Sequence, residues 1–214
     1  MNWFFKKRNG LGGIITVFLL FPFLFLFSSC TAKEEEAYWT ENGGYKSFLK
    51  TRDGTIIHIK GSIMFTANFD DNEYRDAANA ACVEASNFTE IDIRLAPIKA
   101  DTAYCFKFRN NGEGGGHDYA TTENFFDQSN GEIKGAYIYF NLDMMKYCKP
   151  SEKKHVAIHE MGHVLGLADV YDKLILDEDA TIMYYLADAG ATYEHFGRWD
   201  IQNIIYFYGG EYSI

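Results

Sequence analysis

Basic charge is scarce in this chain: 20 Lys and Arg stand against 30 Asp and Glu over 214 residues, a formal charge of −10 at pH 7. Three of those cations, Lys6, Lys7 and Arg8, sit in the first 29 residues, which carry no acid. Without that segment 17 basic residues face 30 acidic ones, a net −13. A body so acidic repels phosphate backbones, which excludes nucleic acid as a partner; the charge reads as a solvated surface. Cysteine is sparse, at four residues, and none has the paired C-x-x-C spacing of a structural zinc site. Internal repeats are absent. The length excludes two well-cored domains and suits one. With 47% apolar and 17% aromatic residues, the chain has the material for a core and is not disordered.

The first informative segment is the N-terminus. Lys6, Lys7 and Arg8 form a positive region, residues 11–27 are a nearly unbroken apolar run, and Ser28, Ser29 and Cys30 follow. That is the layout of a secretory signal. The tetrapeptide Phe27-Ser28-Ser29-Cys30 resembles the lipobox of bacterial lipoproteins, with Phe where Leu is usual. The resemblance implies that residues 1–29 are a signal peptide, that Cys30 is lipidated, and that residues 30–50 are a lipid-anchored tether. The alternative is an uncleaved transmembrane anchor, since 17 apolar residues just span a bilayer. Either way the folded part, residues 51–214, is held outside the cytoplasm at a bacterial cell envelope, on the outer membrane or the cell surface. Lys33-Glu34-Glu35-Glu36 reads either as a surface-export signal or as a solvated spacer. With Cys30 assigned to lipid, Cys82, Cys105 and Cys148 allow one disulfide by three pairings, all open.

Hydrophobic periodicity outlines the folded part as α+β. Residues 55–59, Thr-Ile-Ile-His-Ile, read as a strand. Asp70 and Asp71 offer an N-cap, and Tyr74, Ala77, Ala78, Ala81, Ala85 and Phe88 recur at helical spacing. Residues 91–95 and 103–109 alternate as half-buried strands, and 110–116 is a glycine-rich loop. Residues 135–142 form an apolar strand, and Pro150 and Ser151 open the next helix.

That helix carries the chemistry. His159 and His163 fall one turn apart on one face, so both imidazoles reach a single ion. Glu160 is rotated beside the metal, placed to take a proton from water. Gly166 allows positive φ and an abrupt helix end, after which the chain doubles back to present Asp169, with Asp172 nearby as the alternative carboxylate. His155 lies a turn before His159 and reads as a supporting residue. His58 and His195 lack partners at ligand spacing.

The spacing H-E-x-x-H-x-x-G-x-x-D over residues 159–169 resembles the metzincin signature in its aspartate variant. Downstream, Thr181-Ile182-Met183-Tyr184-Tyr185 is similar to the metzincin Met-turn, and residues 198–209 resemble the C-terminal helix of matrixin-like peptidases. The resemblance implies a zincin fold: a twisted mixed β-sheet, an active-site helix bearing H-E-x-x-H, a Met-turn and a C-terminal helix. It implies one catalytic Zn2+ on His159, His163 and Asp169, Glu160 as general base, Met183 as an apolar floor, and Tyr185 as a zinc contact or oxyanion donor. An exposed edge strand near residues 117–122 would pair with a protein or peptide substrate. Glu113, His117 and Asp118 leave open a Ca2+ or second zinc site. No cysteine-switch motif is present.

The expected function is therefore a secreted, membrane-anchored zinc endopeptidase acting as a monomer. The alternative from another class is a surface lipoprotein that binds protein partners around a structural zinc site. An intact Glu160 argues against that alternative, because structural zinc sites need no base.

Overall fold

The computed structural model describes residues 33–34, 38–39, 45–110, 118–171, 181–184 and 193–209. Five strands build the main sheet: β1 (Ile63–Ala67), β2 (Ile93–Lys99), β3 (Tyr104–Arg109), β4 (Ala120–Phe126) and β5 (Ile133–Asn141). Their spatial order is β2-β1-β3-β5-β4. β1 runs parallel to β2 and β3, β3 runs parallel to β5, and β4 is antiparallel to β5 at the edge. The fold is α+β, the expected class, and its sheet is mixed but mostly parallel.

Parallel neighbours need a crossover, and α1 (Asn72–Phe88) supplies it between β1 and β2. Asp71 caps this helix, its carboxylate accepting from the Glu73 and Tyr74 N–H groups at 3.0 and 3.3 Å. The buried stripe Tyr74, Ala77, Ala78, Ala81 and Ala85 matches the predicted face. Its alanines let α1 lie close to the helix that carries the histidines, α3 (Pro150–Val164); α2 (Leu142–Met145) is a single turn after β5. α1 packs on β1 and β2 and α3 on β4 and β5, so the two cover one sheet face. Beneath them Phe65, Phe69, Tyr74, Phe106, Phe108 and Phe140 form an aromatic cluster, with Phe69 and Phe108 stacked at 4.3 Å. Full burial of each such ring contributes on the order of 1.5–3 kcal/mol. α4 (Arg198–Tyr208) ends at Gly209 with φ 72°. Its Tyr208 hydroxyl donates to the Leu165 carbonyl at 2.8 Å, tying the last helix to the end of α3.

Four details differ from the sequence expectations. Residues 55–59 are not a strand: Ile56 and His58 make isolated bridges, to Lys50 and Glu132. Positive-φ Gly54 and Gly61 bracket the segment, and among the described residues no partner runs alongside long enough to make a ladder. The first strand of the main sheet is Ile63–Ala67, whose inner place between β2 and β3 comes from its neighbours rather than its own propensity. The edge strand begins at Ala120, later than expected, and residues 111–117 lie outside the described ones. Ser47, Phe48 and Leu49 are buried. Phe48 bridges Leu167, so chain assigned to the tether is packed into the body. Finally, Cys82, Cys105 and Cys148 are free thiols, so none of the three pairings forms. Burial pushes the Cys82 thiol pKa up, which keeps it protonated and inert.

Candidate metal centre

α3 begins where the Lys149 N–H donates to the Glu152 carboxylate at 2.5 Å, with Pro150 at the first helical position. It ends at Val164, and Gly166 follows with φ 87°. The Gly166 N–H donates to the His163 carbonyl at 3.1 Å and the Leu167 N–H to the Gly162 carbonyl at 2.9 Å, so the exit turn is closed by hydrogen bonds. A Cβ on Gly166 would overlap the Ile57 carbonyl oxygen. Glycine is required there twice over, for its φ and for this close approach of backbone. The Leu49 N–H donates to the Gly166 carbonyl at 2.7 Å, which secures the turn from its outer side.

After this turn the chain returns Asp169 to the histidines. Asp169 Oδ1 lies 3.2 Å from His159 Nε2 and 3.5 Å from His163 Nε2. One ligand atom from each of the three residues lies within 4.8 Å of the other two, and the two rings stand nearly perpendicular, 5.0 Å apart. The opposite ring nitrogens are held by carbonyls: His159 Nδ1 by Ile182 at 2.8 Å, His163 Nδ1 by Leu167 at 2.9 Å. A carbonyl only accepts, so each Nδ1 carries the proton, and in the neutral ring Nε2 presents a lone pair.

Three electron-rich atoms thus face one point. Asp169 Oδ1 is buried, and with both imidazoles neutral no donor among the described residues reaches it; only a proton on Nε2 of a histidine would give it a hydrogen bond. Such an arrangement is repulsive unless positive charge sits among the three. The acid–base balance agrees. Burial pulls the His159 pKa down, but the Asp169 hydrogen bond and the charges of Glu160 and Asp169 outweigh it and lift the pKa to about 9. Burial pushes Asp169 up, yet the His159 hydrogen bond and both histidines hold its pKa below the usual carboxylate value. A proton on His159 is one way to neutralise the cluster. A divalent cation that favours nitrogen and oxygen donors is another, and it satisfies all three residues at once.

The floor beneath is built by residues 181–184. Met183 is fully buried, and a Cβ on Gly162 would overlap its sulfur, so this glycine lets the methionine seat directly against α3. The Val170 N–H donates to the Met183 carbonyl at 2.7 Å, lacing the Asp169 loop to the floor. Asp200, in the first turn of α4, organises the same segment. Its carboxylate accepts from Thr181 Oγ1 at 2.6 Å, the Ile182 N–H at 2.7 Å and the Gly197 N–H at 2.9 Å. Burial pushes the Asp200 pKa up to about 6, against the lowering effect of those three donors. One residue, Ile182, is therefore gripped by Asp200 through its N–H and orients His159 through its carbonyl.

Glu160 is buried, and its Oε2 accepts from Thr122 Oγ1 of β4 at 2.7 Å. Two residues along the same strand, Asn124 Nδ2 donates to the His163 carbonyl at 2.9 Å. The edge strand thus grips α3 at two successive turns. His155 Nδ1 donates to the Tyr193 carbonyl at 2.9 Å, and burial lowers its pKa, so it stays neutral and supports the chain leading to α4.

His159, His163 and Asp169 come together; Glu160, next to His159 in the helix, is buried with its carboxylate on Thr122, and Met183 packs against Gly162. Tyr185, Cys30, Asp172, Glu113 and His117 lie outside the described residues. Asp118 is exposed, and His159, His163 and Asp169 form the one potential metal cluster among the described residues. Sequence reasoning missed Thr122, Asn124 and Asp200 as parts of the site. An Asp three residues past Gly197, at the start of a helical pattern, was the available signal for Asp200. Thr122 and Asn124 gave none, since alternation along a strand does not reveal which helix the strand faces.

No protein-family model matches this sequence, and no curated protein matches it. Among solved structures the chain is similar to myroilysin, with a TM-score of 0.49 and 13% identity over 76% of this chain and 99% of that one. The chemistry proposed below rests on this chain's own residues.

Proposed function

We propose that this chain is a zinc-dependent endopeptidase of the metzincin type, tethered at a bacterial cell envelope through Cys30. The observation that carries the catalytic half is the convergence of His159, His163 and Asp169 beside a buried Glu160. His159, His163 and Asp169 would hold a zinc ion, which would supply Lewis-acid polarisation of a carbonyl and of water. Glu160 accepts the proton of the attacking water and returns it to the leaving amine. β4 ends the sheet order, and no strand among the described residues pairs its outer edge, which supports strand addition by an extended peptide there. Tyr185, two residues past Met183, is assigned by position as donor to the developing oxyanion. A partner-binding lipoprotein would need no base next to its ligands, which is why that reading ranks second.

The direct test is casein cleavage by the zinc-loaded protein. Cleavage should stop with a zinc chelator and return with added zinc; a well-folded, zinc-loaded protein without activity would support the binding-module reading instead. Zinc titration checks the third ligand. Asp169→Ala is expected to weaken zinc affinity by more than about tenfold, because a ligand is lost outright, while Asp172→Ala leaves it unchanged. The reverse pattern would move the ligand three residues on.

The anchor is tested separately. Residues 1–29 and Cys30 lie outside the described residues, and among those described no helix is long and apolar enough to cross a membrane. Mature protein is expected to partition into detergent, to lack residues 1–29 by intact mass, and to lose its lipid in Cys30→Ala. Retention of the first 29 residues would mean a transmembrane anchor.

A further inference from the structure

We infer that Thr122 is a positioning residue for Glu160, an assignment that rests on the peptidase reading and deepens it. Thr122 lies within β4, paired with Ile138 of β5, and its side chain reaches α3. Its hydroxyl oxygen is 2.7 Å from Glu160 Oε2 and 3.0 Å from the Glu160 backbone carbonyl. A threonine has one hydroxyl proton to give, and the charged acceptor binds it more strongly. Among the described residues this is the one hydrogen bond made to the Glu160 carboxylate.

A glutamate carboxylate turns about a terminal torsion with only a broad preference. Packing buries the side chain without choosing the plane of its oxygens, whereas a donor fixed on Oε2 does choose it. With Oε2 engaged, Oε1 is the oxygen left to take a proton from water. The Thr122 proton stays on Thr122 throughout; it holds the carboxylate in both protonation states and is not transferred. The donor also comes from the edge strand that would pair with substrate, and Asn124 ties that strand to the His163 turn. Base and substrate are therefore referenced to the same rigid element.

The test uses the zinc-loaded protein and a quenched fluorescent peptide drawn from casein. Thr122→Val keeps shape and strand propensity but removes the donor; Thr122→Ser keeps the donor. For Thr122→Val we expect kcat to fall roughly tenfold or more, the scale of a hydrogen bond to a charged group, with KM within about twofold and zinc stoichiometry unchanged. Thr122→Ser should recover most of kcat. A second measurement needs no activity: in zinc-free protein, the urea midpoints of Thr122→Val, Glu160→Ala and the double variant should be non-additive. An undiminished kcat in Thr122→Val, a loss that serine does not restore, or strict additivity would each overturn the assignment. Wild-type protein that binds zinc but cleaves no peptide would overturn the peptidase reading and this role with it; an active wild type with an unaffected Thr122→Val overturns only the role of Thr122.

Discussion

Glu160→Gln is expected to retain about one zinc per chain while peptide hydrolysis falls by about a hundredfold or more, the scale of lost general-base catalysis. The argument is local. Glutamine keeps the length and volume of a buried side chain, and its amide oxygen can still accept from Thr122, which now approaches Oε2 at 2.7 Å. The candidate ligands His159, His163 and Asp169 keep their three donor atoms. What disappears is the carboxylate that would take the proton, because an amide oxygen is far too weak a base. The two readouts must separate: zinc content by metal analysis and turnover by peptide cleavage. Near-wild-type turnover in a folded, zinc-loaded Glu160→Gln protein would remove Glu160 from the mechanism. Loss of zinc along with activity would mean that the carboxylate serves the metal instead.

Gly166→Ala should be strongly destabilising, because among the described glycines its added Cβ would make the closest backbone approach. Alanine at φ 87° costs about 1–2 kcal/mol by itself, and the new Cβ would overlap the Ile57 carbonyl, which is backbone and cannot swing aside. Together the two predict a loss of about 3 kcal/mol or more, a fall in Tm on the order of 10 °C for a domain of this size. The damage should spread to the metal centre. The turn carries the Leu167 carbonyl that orients His163 and, three residues after the glycine, Asp169 itself. Thermal unfolding with and without zinc measures both effects. A Tm within about 2 °C of wild type, with unchanged zinc affinity, would show that the turn relaxes freely and that the close approach to Ile57 is not a constraint.

How much of this could be read beforehand depended on the distance over which each feature is decided. The residues that converge on the candidate site are mostly neighbours along one helix and its exit turn. His159, Glu160 and His163 are set by the 3.6-residue period, and Asp169 by a glycine that ends the helix abruptly. These are short-range rules, so spacing alone located four residues that lie together. The α1 cap at Asp71 and the alanine stripe behind it were legible for the same reason.

What the local pattern could not supply was decided by contacts between distant segments. Residues 55–59 look like a strand by composition, yet only their partners could have made them one, and the less regular Ile63–Ala67 took the inner place in the sheet. Ser47, Phe48 and Leu49 read as tether until the Gly166 turn gave them a surface to pack on. The same holds around the metal centre. Thr122 is 38 residues from Glu160 in sequence and Ile182 is 23 from His159, while Asp200 reaches Ile182 across 18. By itself the sequence determined which groups could ligate a cation and act as a base, because helix geometry ties spacing to direction. Only the tertiary structure decided which carbonyl fixes each imidazole and which hydroxyl holds the glutamate, because those pairings depend on where separate elements come to rest.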